Sequence, residues 1–134
     1  MSVVLVTGAA GGLGAVVCER FAAGGWDVIA TDRPEARAAT GAWIPADLLD
    51  VEQIREMVAQ AATVHGRLDC VVNAAGLWTE GASAETTEDD WDRVVGVNLK
   101  AAYFVSSAAI PHLESTGGSI VMISSDAGVQ GNAG

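Results

Sequence analysis

Positive charge is scarce in this sequence: seven lysines and arginines stand against seventeen aspartates and glutamates, a formal net charge of −10 over 134 residues. So acidic a balance argues against nucleic acid or an anionic membrane as a partner, because both are held by clustered cations. An anionic cofactor is not excluded, since backbone dipoles bind one locally. Cysteine is nearly absent. Cys18 and Cys70 lie far apart and outside any metal-ligand spacing, so they read as reduced core residues of a cytoplasmic protein. His65 precedes Gly66 and His112 follows Pro111, both where helices are expected to end, so metal ligation is not expected. No run approaches the ~18 apolar residues of a membrane span, and the N-terminus lacks the basic and long apolar stretches of a signal peptide. Aromatics are 5% of the residues while 50% are hydrophobic, a composition that suits a parallel sheet covered by alanine-rich helices. The length predicts a single domain that buries roughly two-thirds of its unfolded surface.

Glycine, by contrast, is concentrated where it has a use. The apolar run Val3-Val4-Leu5-Val6 reads as a buried strand, and Ala15 to Phe21 reads as a helix. Between them stands Thr7-Gly8-Ala9-Ala10-Gly11-Gly12-Leu13-Gly14. A strand, a glycine-dense turn and a helix start form the geometry that holds a pyrophosphate: the backbone approaches closely, and the helix offers free N–H groups and a partial positive charge. Neither G-x-G-x-x-G nor G-K-[ST] can be laid on these residues, so a nucleoside-triphosphate P-loop is not expected. The pattern present is T-G-x-x-x-G-x-G.

Strand and helix signals then alternate along the chain. Residues 26–31 form a second strand candidate, 34–40 a short helix, 42–46 a third strand, and 51–64 a helix with Asp50 as its N-cap. Residues 68–73 read as a fourth strand. Thr87-Glu88-Asp89-Asp90 resembles a capping box opening a long helix over 91–110, and 119–123 is a fifth strand. This alternation predicts an α/β fold, a doubly wound parallel sheet of about five strands in the order 3-2-1-4-5, as one domain over residues 1–134. Ligands in such folds sit at the carboxyl ends of the strands.

The candidate site residues fall at those ends. Asp32 lies eighteen residues past Gly14, near the ~20-residue offset at which an acidic side chain meets the hydroxyls of an adenosine ribose. Asp47 can accept the adenine amino group and Leu48 can cover the ring. Asn73-Ala74-Ala75-Gly76 offers small residues beside which a nucleotide can lie. Each also has a plainer use in a strand-end turn or a helix cap. Asn98 shares a helix stripe with Trp91, Val94, Val95, Ala101, Ala102 and Val105, so its amide is expected to be buried, and then hydrogen-bonded either to backbone or to a water. Ser124-Ser125 closes the fifth strand.

Together these residues resemble the short-chain dehydrogenase/reductase family over the whole chain. Gly8, Gly12 and Gly14, with Leu13 between the last two, match its glycine motif, and Asn73-Ala74-Ala75-Gly76 matches its N-A-G segment. Val97-Asn98-Leu99 fits the asparagine of its catalytic tetrad, and Gly118 to Ser125 fits the strand bearing its catalytic serine, here Ser125. The resemblance implies a Rossmann-type fold and hydride transfer between a nicotinamide cofactor and a secondary alcohol or ketone, with Asn98 and Ser125 as catalytic residues. Among the cofactor-binding residues, Asp32 favours NAD over NADP by repelling a 2′-phosphate; Arg33 partly offsets that repulsion, and Gly11 stands where a cation would aid the phosphate. The family's Y-x-x-x-K pair is not matched: the only tyrosine, Tyr103, precedes Ser125 and has no lysine four residues on. The expectation is therefore the cofactor-binding half of such an enzyme, inactive by itself, with the catalytic and substrate-binding C-terminal half absent. The intact protein is expected to be a homodimer or homotetramer, with alanines, Phe104 and Val105 of the long helix facing a partner helix. Leu77 and Trp78 are the expected substrate-side contacts. The alternative is a non-catalytic dinucleotide-binding sensor or regulatory module.

Overall fold

Strand β1 (Val3–Thr7) is buried along its full length, and strand alternation sends its side chains into two separate cores. Val3 and Leu5 join Ile29, Ile54, Met57, Val71 and Val105 on one face of the sheet. Val4 and Val6 join Cys18, Val28, Ala30 and Val72 on the other. A strand apolar on both faces needs helices over both, and it becomes the centre of a parallel sheet. In the computed structural model, which describes residues 1–131, the strand order is β3-β2-β1-β4-β5 and every pairing is parallel. β2 is Asp27–Thr31, β3 Ala42–Trp43, β4 Cys70–Asn73 and β5 Ser119–Met122. The expected fold is present; the last three residues of the expected 1–134 domain lie outside the described part.

Helix α1 (Gly12–Ala23) covers the smaller core through Cys18. Helices α2 (Val51–Val64) and α4 (Ala102–Glu114) cover the larger one through Ile54, Met57, Val58 and Ala61, and through Val105, Ala109 and Leu113. Asp50 caps α2 as expected, its Oδ1 accepting the N–H groups of Glu52 and Gln53 at 2.9 and 3.3 Å. Those bonds hold its carboxyl below the usual carboxylate range. Both cysteines are buried and free, and burial pushes both thiols up, so neither is a ready nucleophile.

Residues 34–40 form a turn rather than the expected helix, held by the Ala36 N–H on the Arg33 carbonyl at 2.9 Å. A segment beginning Pro34-Glu35 and lacking an apolar stripe has nothing to pack along a helical face. β3 spans two residues where five were expected, although Ile44 and Ala46 still donate to Ala30 and Asp32 at 3.0 Å. Pro45 between them has no N–H to offer an outer neighbour, as suits an edge.

The long helix departs most from expectation. It comprises α3 (Glu88–Val95), a π-helical segment (Gly96–Ala101) and α4, and it runs through Pro111 to Glu114. The wider π turn changes the angular phase of the helix partway along. Downstream, Ala101 and Val105 are buried in the core, so Val105 is not on the open face where it was expected. Upstream, Trp91 is 63% exposed and Asn98 is exposed as well, contrary to the burial inferred from an uninterrupted stripe. By length and composition the run Glu88–Glu114 is long and apolar enough to cross a membrane, which the sequence reading did not foresee. The side of α4 packed on Leu5 and Val71, however, is that of a core helix. Leu99, Tyr103 and Ile110 face outward, and β5 forms a sheet edge with Val121 and Met122 exposed.

Candidate cofactor and substrate clefts

Strand register assembles the site. Thr7 pairs with Thr31 on one side and Asn73 on the other, so Gly8, Asp32 and Ala74 emerge together at the carboxyl edge. This is the switch point of the sheet, where the crossover from β1 leads to β2 on one side and later connections lead to β4 and β5 on the other. The buried Thr7 hydroxyl ties the edge together: its Oγ1 accepts the N–H groups of Ala74 and Ala75 at 3.2 and 3.1 Å. In the sequence Thr7 stands only as the first residue of the glycine motif; its tie to residues 74 and 75 is a tertiary contact 67 and 68 residues away.

The glycines divide into two kinds. Gly8 adopts φ +68°, and a Cβ there would lie 2.7 Å from Ala75 Cα; a Cβ on Gly14 would lie 2.1 Å from the Gly8 carbonyl oxygen. Those two are required by the close crossing of the loop, the 74–75 segment and α1. Gly12 differs, because a Cβ there would meet nothing within 4 Å. It opens onto the cleft, and the protein itself makes no demand for glycine at that position. Helix α1 has no side-chain N-cap and no acidic residue in its first turn, so its N-terminal N–H groups and dipole remain for an anion. An open glycine over an uncapped helix start fits a pyrophosphate.

The cavity at this point, about 550 Å³, brings together Gly8, Gly12, Leu13, Gly14, Asp32, Arg33, Asp47, Leu48, Ala74, Ala75 and Gly76. Every expected cofactor residue except Asn73 lines it. Asn73 is buried behind, its Nδ2 donating to Ser106 Oγ at 3.1 Å and approaching the Met122 sulfur at 3.4 Å. Asp32 Oδ2 accepts the Ala10 N–H at 3.0 Å and Oδ1 the Arg33 N–H at 2.8 Å. Arg33 in turn pairs with Glu35 at 3.3 Å. Asp47 Oδ1 accepts the Leu49 N–H at 2.9 Å. Leu49, Arg93 and Val97 also line the cavity and were not foreseen. Their place depends on how the α3–π junction meets the loop after β3, which no local pattern encodes.

A second cavity, about 850 Å³, shares residues 74–77 with the first and continues past Trp78, Asn98, Ser124, Ser125 and Asp126. Asn98 and Ser125 are thus brought to one cleft from the long helix and from the end of β5. The Asn98 amide is satisfied by backbone: Nδ2 donates to the Leu77 carbonyl at 2.8 Å, and Oδ1 accepts the Leu77 N–H at 2.9 Å. Ser125 Oγ accepts the Ala127 N–H at 3.2 Å and is exposed. Tyr103 is 64% exposed on α4 and lines neither cavity. Among the described residues no three His, Cys, Asp or Glu side chains gather to hold a metal.

A doubly wound sheet with two joined clefts at its switch point is the arrangement in which α/β proteins hold ligands. Comparison with known proteins narrows this. A sequence model described as short chain dehydrogenase matches residues 2–134, and the chain belongs to that family of oxidoreductases. It is 35% identical to a meso-2,3-butanediol dehydrogenase of Serratia marcescens over 144 aligned positions, covering 98% of this chain and 56% of the relative. It is 36% identical to a 3-oxoacyl-(acyl-carrier-protein) reductase of Thermotoga maritima, covering 98% and 58%. A solved short-chain dehydrogenase/reductase from Serratia marcescens superposes with a TM-score of 0.83 at 33% identity, covering 96% of this chain and 60% of that one. The chain spans little more than half the length of the curated relatives it matches.

Proposed function

We propose that this chain forms the cofactor-binding half of a cytoplasmic oxidoreductase that moves a hydride between NAD(H) and a secondary alcohol or ketone. The observation that carries this reading is the shared wall at residues 74–77, which sets the cleft over the glycine loop directly against a second cleft holding Asn98 and Ser125. When bound, the nicotinamide ring supplies or accepts the hydride. The uncapped start of α1 and the open face at Gly12 receive the pyrophosphate. The Asp32 carboxylate accepts the ribose hydroxyls and repels a 2′-phosphate, favouring NAD. Ser125 Oγ donates to the substrate oxygen and orients it. Asn98 holds Leu77, and with it the loop carrying Trp78 along the substrate cleft.

Proton transfer to the substrate oxygen needs a general acid, and neither Tyr103 nor the single lysine, Lys100, lines either cleft. We therefore assign to residues 1–134 dinucleotide binding without turnover, and we propose separately that the intact enzyme is a homodimer or homotetramer. Calorimetric titration of the chain with NAD should show saturable binding, and the intact enzyme should oxidise or reduce NAD(H) with a member of a broad alcohol and ketone panel. Absence of binding by both NAD and NADP would overturn the reading.

A further inference from the structure

Two cations line the first cleft, and they are placed differently. Arg33 is engaged with Glu35 at 3.3 Å. Arg93, in the last turn of α3, makes no ion pair among the described residues, although the chain is strongly acidic. Its position on the cleft follows from a close approach one turn further on. Gly96 has no side chain, and the Leu49 Cδ2 atom sits 2.6 Å from where a Cβ would be. That contact brings the α3–π junction onto the loop bearing Asp47 and Leu48, so Arg93, Val97, Leu48 and Leu49 line the cavity together. The expected adenine contacts, Asp47 and Leu48, belong to this same loop, which makes this part of the cleft the one that receives the base.

We propose that Arg93 binds the adenine of the dinucleotide by laying its guanidinium plane over one face of the purine while Leu48 supports the other. This rests on the reading of the first cleft as a dinucleotide site. A guanidinium is planar and weakly hydrated, so it stacks on an aromatic face at small desolvation cost, whereas an ammonium is a compact hydrated charge. Leu48, buried, supplies an apolar surface in the same cavity. Arg93 therefore contributes to the adenine half alone and does not touch the reacting atoms.

The test uses calorimetry on the chain and its Arg93→Ala and Arg93→Lys variants, with NAD, ADP-ribose and nicotinamide mononucleotide. Arg93→Ala should weaken NAD and ADP-ribose alike, by roughly three- to thirtyfold for loss of such a stack, and leave nicotinamide mononucleotide unchanged. Arg93→Lys should recover less than half of the loss, and the deficit should persist in 0.5 M salt at about the same size, because stacking is screened less than bare charge. Unchanged melting temperatures in both variants exclude a structural origin. ADP-ribose binding equally well to Arg93→Ala would overturn the inference while leaving the dinucleotide reading intact. Full rescue by lysine, with the effect vanishing in salt, would overturn it as well. No binding of any dinucleotide by the unmodified chain would overturn both.

Discussion

The carboxylate of Asp32 is hydrogen-bonded to the backbone N–H of Ala10 across 22 residues of sequence, at 3.0 Å. The end of β2 and the glycine loop are therefore tied to each other through the group assigned to cofactor choice. With its other oxygen held by the Arg33 N–H, the carboxylate is oriented before any ligand arrives. A negative charge fixed in this way has little freedom to swing away from a 2′-phosphate.

Replacing Asp32 with alanine should act twice. It removes the repulsion of a phosphate and frees the loop at Ala10, so NAD affinity should fall about tenfold, the scale of a lost charged hydrogen bond, while NADP holds or gains. Calorimetry on the intact enzyme checks this. Tighter binding of NADP than of NAD by the unmodified protein would show that Asp32 does not select.

Gly12 and Gly14 should separate binding from folding. Gly12→Ala meets no protein atom, so stability should stay within ~0.5 kcal/mol, as for a benign surface change, while dinucleotide affinity drops by at least tenfold. Gly14→Ala drives a Cβ to 2.1 Å from the Gly8 carbonyl and should cost about 1–3 kcal/mol of stability, the range for overpacking. Urea denaturation beside titration resolves the two; equal stability losses would refute the distinction.

Acid should weaken the start of β1. Asp69 accepts the Val3 N–H at 2.8 Å and meets Arg67 through both of its oxygens at 2.9 and 2.6 Å, and the Arg67 guanidinium holds its carboxyl below the usual range. The folded pKa is thus depressed, so the stabilisation is complete above the unfolded value of about 3.9 and is lost as pH falls through the folded value. Asp69→Asn should cost about 1.5–3 kcal/mol at pH 7, as for a hydrogen bond to a charged group, and the gap from the parent should close in acid. A gap of constant size from pH 7 to pH 2 would contradict this.

Asn98→Ala should release the Leu77 backbone. Amide exchange at Leu77 should rise by about tenfold or more, in line with loss of roughly 1.4 kcal/mol from local hydrogen bonds. Exchange at Val71 should not change. In the intact enzyme the same variant should lower kcat. Leu77 protection equal to that of the parent would remove the positioning role.

Residues 3–6, 26–31 and 51–64 were legible in local pattern, as two strands and an amphipathic helix behind an aspartate cap, with β2 starting one residue later at Asp27. The same applies to the glycine loop and to Asp32, whose offset is a matter of counting. Asn98 lines the second cleft but is exposed rather than buried, because a regular helical period does not hold through a π segment that no residue type announces. Leu49, Arg93 and Val97 were missed for a related reason: they reach the cleft only through the contact of Leu49 at Gly96, a tertiary approach between segments 47 residues apart. Turn 34–40 failed as a helix because it has residues that tolerate helix but no face to bury.

The π segment can also be seen as a frameshift in the angular reading of the long helix. A single extra residue within Gly96–Ala101 lets two faces of one rod answer to two different surfaces: Asn98 to the cleft, and Ala101, Val105, Ala109 and Leu113 to the sheet. Removing one residue there would return the rod to the α period with both ends close to their present phase, whereas removing one from the regular turns of α4 would rotate everything beyond it by about 100°. A one-residue deletion within Gly96–Ala101 should therefore be tolerated better than the same deletion in α4.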